Sequence, residues 1–201
     1  MKNFIEVNKT EEEQVEQIKK FWNDNGMQII AGVVIGIGAI WGMKFYDQYQ
    51  SDKSAESRSH YLAIDSNNDQ AYQQLQNSQG AYQDESSLLM AKYAVEKKDY
   101  KKALDFLLPL INSENEFISH AAKIRASNVY LQINQFEKAL SVLQDNQNDV
   151  FDGLYNHAKG DAYLALNNID LAKKHYQLAL EKLSRESDLH NLIQIKLGDL
   201  D

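Results

Sequence analysis

The sequence predicts an all-α protein: one membrane-crossing helix followed by a stack of helical hairpins. Three observations carry this. One proline and nine glycines in 201 residues leave few helix breakers, and five of those glycines crowd between Gly26 and Gly42. The stretch Gly26–Met43 holds 18 residues with no formal charge. Farther on, small and apolar residues recur at intervals of 33 and 36 residues. No stretch outside the span alternates apolar and polar residues long enough to make a strand.

Residues 1–25 form a short polar lead. Val15, Ile18, Phe21 and Trp22 fall on one side of a helix, and Glu11–Glu13 follow Thr10, an N-cap with carboxylates in the first turn. The pattern predicts a short amphipathic helix lying at a membrane surface and running into the span.

Residues 26–46 are the span. Eighteen residues of helix cover about 27 Å, close to the hydrocarbon thickness of a bilayer. Five glycines would be costly inside a water-soluble helix but are useful where helices approach closely in lipid. Phe21 and Trp22 before it, and Trp41, Phe45 and Tyr46 at its far end, sit where interface anchors belong. A cleaved signal peptide fits less well, because six acids precede the apolar run and no small-x-small cleavage site follows it. Lys19 and Lys20 on one side face Lys44, Lys53 and Arg58 on the other, so flanking charge leaves the orientation open. Gly32/Gly36 and Gly38/Gly42 form two small-xxx-small pairs on different faces, candidate packing surfaces for partner helices.

Residues 47–80 are polar and rich in Gln, Asn and Ser. They read as a connector helix leaving the membrane, a loop at Ser66-Asn67-Asn68-Asp69, and the first helix of a soluble domain.

Residues 81–201 carry the period. Ala103, Ala139 and Ala172 are 36 and 33 residues apart, and twelve residues before each stands Ala91, Ser127 or Gly160. Tyr130 and Tyr163 follow the latter two by three residues; Leu107, Leu143 and Tyr176 follow the alanines by four. The order and spacing resemble the tetratricopeptide repeat, without its customary tryptophan or closing proline. Tyr100, Ala103, Leu104, Leu107, Leu108 and Ile111 make a helical stripe, as do Ile169, Ala172, Tyr176, Ala179, Leu180 and Leu183. Lys97-Lys98-Asp99, Asn134-Gln135 and Asn167-Asn168 are the hairpin turns. A last helix after Ser187-Asp188, with Leu189, Leu192, Ile193 and Leu197, caps the stack. Gly160 is expected to pack near Ala172, with room for alanine but not leucine.

The chemistry-bearing residues point away from catalysis. His60, His120, His157, His175 and His190 are scattered without metal-ligand spacing, and neither a nucleophile elbow nor a phosphate-binding loop occurs. There are no cysteines, which excludes thiolate chemistry. Lys+Arg 21 against Asp+Glu 29 gives −8, a poor match to nucleic acid. The expectation is a non-enzyme with no cofactor, no metal and no small-molecule substrate. What such repeats offer is a concave surface, and the repeat register turns Lys92, Glu96, Asn128, Leu131, Gln132, His157, Asp161 and Leu164 toward it.

The layout as a whole resembles the ancillary SecYEG translocon subunit family of Gram-negative bacteria, also called YfgM-like. Gln14-Val15-Glu16-Gln17-Ile18-Lys19-Lys20-Phe21-Trp22, then Asn25-Gly26, the glycine pattern of the span and the Phe45-Tyr46 pair carry the resemblance, which extends through the repeats. It implies a single-pass inner-membrane protein with a cytoplasmic N-terminus and a periplasmic repeat domain. Its implied partners are the inner-membrane lipid, the SecYEG translocon and a PpiD-like periplasmic chaperone, with exported proteins passed between them. It implies no catalytic residues. Two alternatives stand beside it: a scaffold anchored the other way round, facing the cytoplasm, and a self-associating structural protein.

Overall fold

A computed structural model describes residues 11–66, 69–77, 82–144 and 148–200. Helices account for almost all of them, and no extended strand occurs among the described residues. The chain divides into two compact units, 1–55 and 56–201.

The first unit is helical from Glu11 onward. Helix α1 runs Glu11–Leu62 without interruption, so the polar lead, the apolar stretch and the connector lie on one helix whose last two turns belong to the second unit. Glu11, Glu12 and Glu13 occupy its first turn, where the helix dipole favours carboxylates; Thr10 lies outside the described residues. It is the one described helix long and apolar enough to cross a membrane. The large side chains of its apolar stretch are exposed among the described residues: Met27 is 81% exposed, Ile35 71% and Trp41 75%. That is the reverse of a soluble core helix.

The second unit is a run of hairpins. Helix α2 (Gln70–Asn77) precedes three pairs: α3 (Gln83–Glu96) with α4 (Tyr100–Leu107), α5 (Glu116–Gln132) with α6 (Phe136–Ser141), and α7 (Asp152–Ala165) with α8 (Ile169–Lys182). Helix α9 (Asp188–Gly198) packs on α8. Asn67 and Asn68 of the expected loop, and Ala81 at the start of the expected repeats, lie outside the described residues.

The pairs share a turn. In each, a residue enters the left-handed region, Lys98 (φ 59°), Asn134 (φ 57°) and Asn167 (φ 59°). Its N–H donates three residues back, to Val95, Leu131 or Leu164. The next N–H donates five back, from Asp99 to Ala94 (2.8 Å), Gln135 to Tyr130 (2.9 Å) and Asn168 to Tyr163 (2.9 Å). This double bond closes the carbonyls of the first helix, the arrangement known as a Schellman motif. The second helix then starts on Asp99 or Asn168, whose side chain accepts from the backbone N–H of Lys102 or Leu171. The left-handed residues repeat at the same 36 and 33 intervals as the alanines.

Those alanines are where helices meet: Ala103, Ala139 and Ala172 are completely buried, as are Ala122, Ala126, Ala162 and Ala179. The small positions behave likewise at Ala91, Ser127 and Gly160. One expectation is corrected. A β-carbon on Gly160 would lie 2.5 Å from Cδ1 and Cε1 of Tyr176, one turn beyond Ala172, so even alanine meets the tyrosine ring. The ring has no easy retreat, because its hydroxyl donates to Asp161 at 2.6 Å.

Candidate functional site

Two of the places on the second unit where polar side chains gather around the first helices of the hairpins hold residues expected for the groove. The first is a groove of about 460 Å³ between α3 and α5. Ala91 and Val95 of α3, Tyr100 and Leu107 of α4, and Val129 of α5 supply its apolar lining. Lys92, Glu96, Arg125, Asn128 and Gln132 supply the polar one. Lys92 and Glu96 are one helical turn apart and pair at 3.8 Å; both are more than half exposed, so the pair adds little stability. Arg125 Nη1 donates to the carbonyl of Leu88 at 3.4 Å.

The second place is a polar cluster on α7. Asp161 Oδ1 accepts from the Tyr176 hydroxyl of α8 at 2.6 Å and from Lys196 Nζ of α9 at 2.6 Å. His157, one turn before Asp161, has Nε2 3.1 Å from Lys196 Nζ and 3.4 Å from Asp161 Oδ2. Burial holds the His157 pKa below 6.5, opposed by Asp161 and assisted by Lys196. Burial, then the bond to Asp161, pushes the Tyr176 hydroxyl far above its usual value, so it donates throughout the physiological range. Elsewhere on α7, His175 and Asn156 link α8 to α7 at 2.8 Å. His120 of α5 reaches Tyr155 with Nδ1 2.7 Å from the hydroxyl and stacks on Phe151.

Repeat periodicity, a buried row of alanines and three identical turns describe one architecture, and the family model for the tetratricopeptide repeat-like domain matches residues 19–201. The chain belongs to that family. Curated relatives extend the likeness. The protein named ancillary SecYEG translocon subunit from Haemophilus influenzae is 28% identical over 199 residues, covering 90% of this chain and 97% of its own. The protein of the same name from Aggregatibacter actinomycetemcomitans is 29% identical over 200 residues (94% and 97%). That from Escherichia coli is 22% identical over 205 (98% and 99%). The resemblance noted in the sequence is thus to proteins this chain matches almost end to end. No solved structure matches it significantly.

In repeat-like terms, Lys92, Asn128 and Asp161 are equivalent positions, and the structure distributes the eight expected groove residues unevenly. Lys92, Glu96, Asn128 and Gln132 line the α3–α5 groove. His157 and Asp161 join the α7 cluster. Leu131 packs against the main core, and Leu164 against the cluster of Ala172, Tyr176 and Ile193. Sequence reasoning missed Arg125, which sits three residues before Asn128 and so on its face; helical spacing could have found it. It missed Lys196 for a different reason, since only docking of α9 brings that residue to α7.

The span glycines are a third candidate. Around Gly32, Gly36, Gly38 and Gly42 a β-carbon would meet nothing within 4 Å. Packing among the described residues therefore makes no use of their smallness.

Proposed function

We propose that this protein is a membrane-anchored, non-catalytic adaptor that works beside the SecYEG translocon. The observation that carries the reading is the near end-to-end match to relatives named ancillary SecYEG translocon subunit, at 28–29% identity over 90–94% of the chain. The apolar stretch of α1 is the anchor in the inner membrane. Residues 1–25 face the cytoplasm, 26–46 cross, 47–80 connect, and 81–201 form a periplasmic repeat domain. The small faces at Gly32/Gly36 and Gly38/Gly42 receive a partner helix. The α3–α5 groove, with Lys92, Glu96, Asn128 and Gln132, takes a segment of an exported protein or of a PpiD-like periplasmic chaperone to which the cargo passes.

Co-purification from mild detergent tests the association. The full-length chain is expected to carry SecYEG and a PpiD-like chaperone with it, and Gly36→Leu with Gly38→Leu to lose the channel while still inserting. Recovery of homo-oligomers alone would sink the adaptor reading. A reporter fused after Asp201 that works only in the periplasm is expected to be active; activity of a cytoplasm-only reporter instead would reverse the topology.

A further inference from the structure

We infer that Lys196 is a latch that fastens the terminal helix α9 across to α7 through Asp161, and that protonation of His157 opens it. The geometry requires a neutral imidazole. Lys196 Nζ is a donor only, and it lies 3.1 Å from His157 Nε2, so that nitrogen must offer its lone pair and the ring proton must sit on Nδ1. Asp161 is already well used: Oδ1 accepts both Lys196 Nζ and the Tyr176 hydroxyl, each at 2.6 Å, and Oδ2 stands 3.4 Å from His157 Nε2.

A proton on Nε2 destroys this arrangement. Imidazolium and ammonium would lie in contact and compete for one carboxylate, one of whose oxygens is held by Tyr176. His157 and Asp161 are one turn apart on the same helix, so the new ion pair forms where it stands. Lys196 sits on a flexible stem, and it is the cation that leaves. Burial and Lys196 both resist the proton, and Asp161 favours it. The groups facing His157 are Asp161 on its own helix, Tyr176 from α8 and Lys196 from α9; among the described residues no hydrogen bond or ion pair reaches it from α5 or α6.

Opening the latch loosens α9 without detaching it, because Ile193 stays fully buried with Leu189 and Leu197 in the cluster against α8. Asp161 is equivalent to Lys92 and Asn128 of the groove, so the latch keeps a partner-facing carboxylate occupied from within. That last step rests on the groove proposed above; the latch does not.

Hydrogen–deuterium exchange on the full-length chain in detergent micelles reads it directly. Between about pH 7.5 and about pH 5.5, across the usual histidine range, protection of the 188–200 peptide is expected to fall on the order of tenfold after correction for intrinsic rates. The 83–107 peptide, which contains no histidine, gauges the general acid softening of the domain, and the loss at 188–200 should clearly exceed its own. His157→Gln keeps an acceptor for Lys196 but cannot titrate, and should leave α9 equally protected at both values. Lys196→Met should show the acid behaviour already at neutral pH. Acid loss that persists in His157→Gln would overturn the proposal. Loss in step with the 83–107 peptide would overturn it as general softening. Neither result bears on co-purification with the channel, which fails or succeeds separately.

Discussion

At Gly32, Gly36, Gly38 and Gly42 a β-carbon would have open space around it, whereas at Gly160 it would lie 2.5 Å from the ring of Tyr176 and at Gly153 2.7 Å from Leu183 Cγ. The same residue type thus answers two constraints. In α7, glycine is what lets a second helix of this chain come close. In the apolar stretch of α1, none of the described residues comes within 4 Å of where a β-carbon would sit. The contrast separates glycines whose cost of substitution is internal from those whose cost, if any, appears only with a partner.

The sharpest way to break that contrast is bulk at residue 160. Gly160→Leu is expected to destabilise the repeat domain by about 3 kcal/mol or more, at the upper end of overpacking effects. Thermal unfolding that matches wild type would show that α7 and α8 do not meet there. Gly160→Ala should cost about 1–2 kcal/mol, an overpacking term partly offset by about 1 kcal/mol of helix propensity. A neutral alanine would mean that the Tyr176 ring yields despite its bond to Asp161.

Acid sharpens the comparison next, because the three histidines whose pKa burial lowers lie in the repeat domain. Burial is the first cause lowering the pKa of His120, His157 and His175. The folded chain therefore binds fewer protons than the unfolded one just below the ordinary histidine pKa of about 6.5. Stability from these residues is present above that pH and is lost as pH falls through the lowered folded values. The melting temperature of the repeat domain should drop by several degrees between about pH 7 and about pH 5, and His120→Gln should flatten part of the slope.

Smaller effects should have the opposite sign. Ser127 buries a hydroxyl with no partner among the described residues, so Ser127→Ala should stabilise by up to about 1 kcal/mol. Lys98 holds a left-handed conformation that costs a side-chain-bearing residue about 1 kcal/mol, and Lys98→Gly should recover part of it. Smallest of all, leucine at Gly36 and Gly38 should leave the repeat domain's melting temperature unchanged. A shift would mean that the apolar stretch does pack on its own chain.

Much of this was legible in residue spacing. The alanines 36 and 33 residues apart placed the three hairpins, and Lys97-Lys98-Asp99, Asn134-Gln135 and Asn167-Asn168 were legible as their turns, though not the capping by Asp99 and Asn168. Lys92, Glu96, Asn128 and Gln132 were legible as groove residues because helical period assigns each to a face. Period says nothing about what that face meets. Tyr176 rather than Ala172 confronts Gly160 because a long side chain covers the turn before its own backbone position. Lys196 joined the α7 cluster only through the docking of α9, which depends on burying Ile193 some 30 residues from Asp161. A lead helix running into the span and a connector helix leaving it were legible as well; that Asn23-Asp24-Asn25-Gly26, a turn-favouring run, stays helical within α1 was not.

The repeat contacts have a consequence for when the fold is made. Each helix packs chiefly against its successors in order: α3 on α4, α4 on α5, α5 on α6 and α7, α7 on α8, α8 on α9. Little has to wait for distant sequence, which is the condition for rapid folding. A chain delivered N-terminus first, from a ribosome or through a membrane pore, can close one hairpin while the next is still arriving. Its exposed apolar surface at any moment is then about one hairpin's worth, and a half-delivered chain has few wrong neighbours to find.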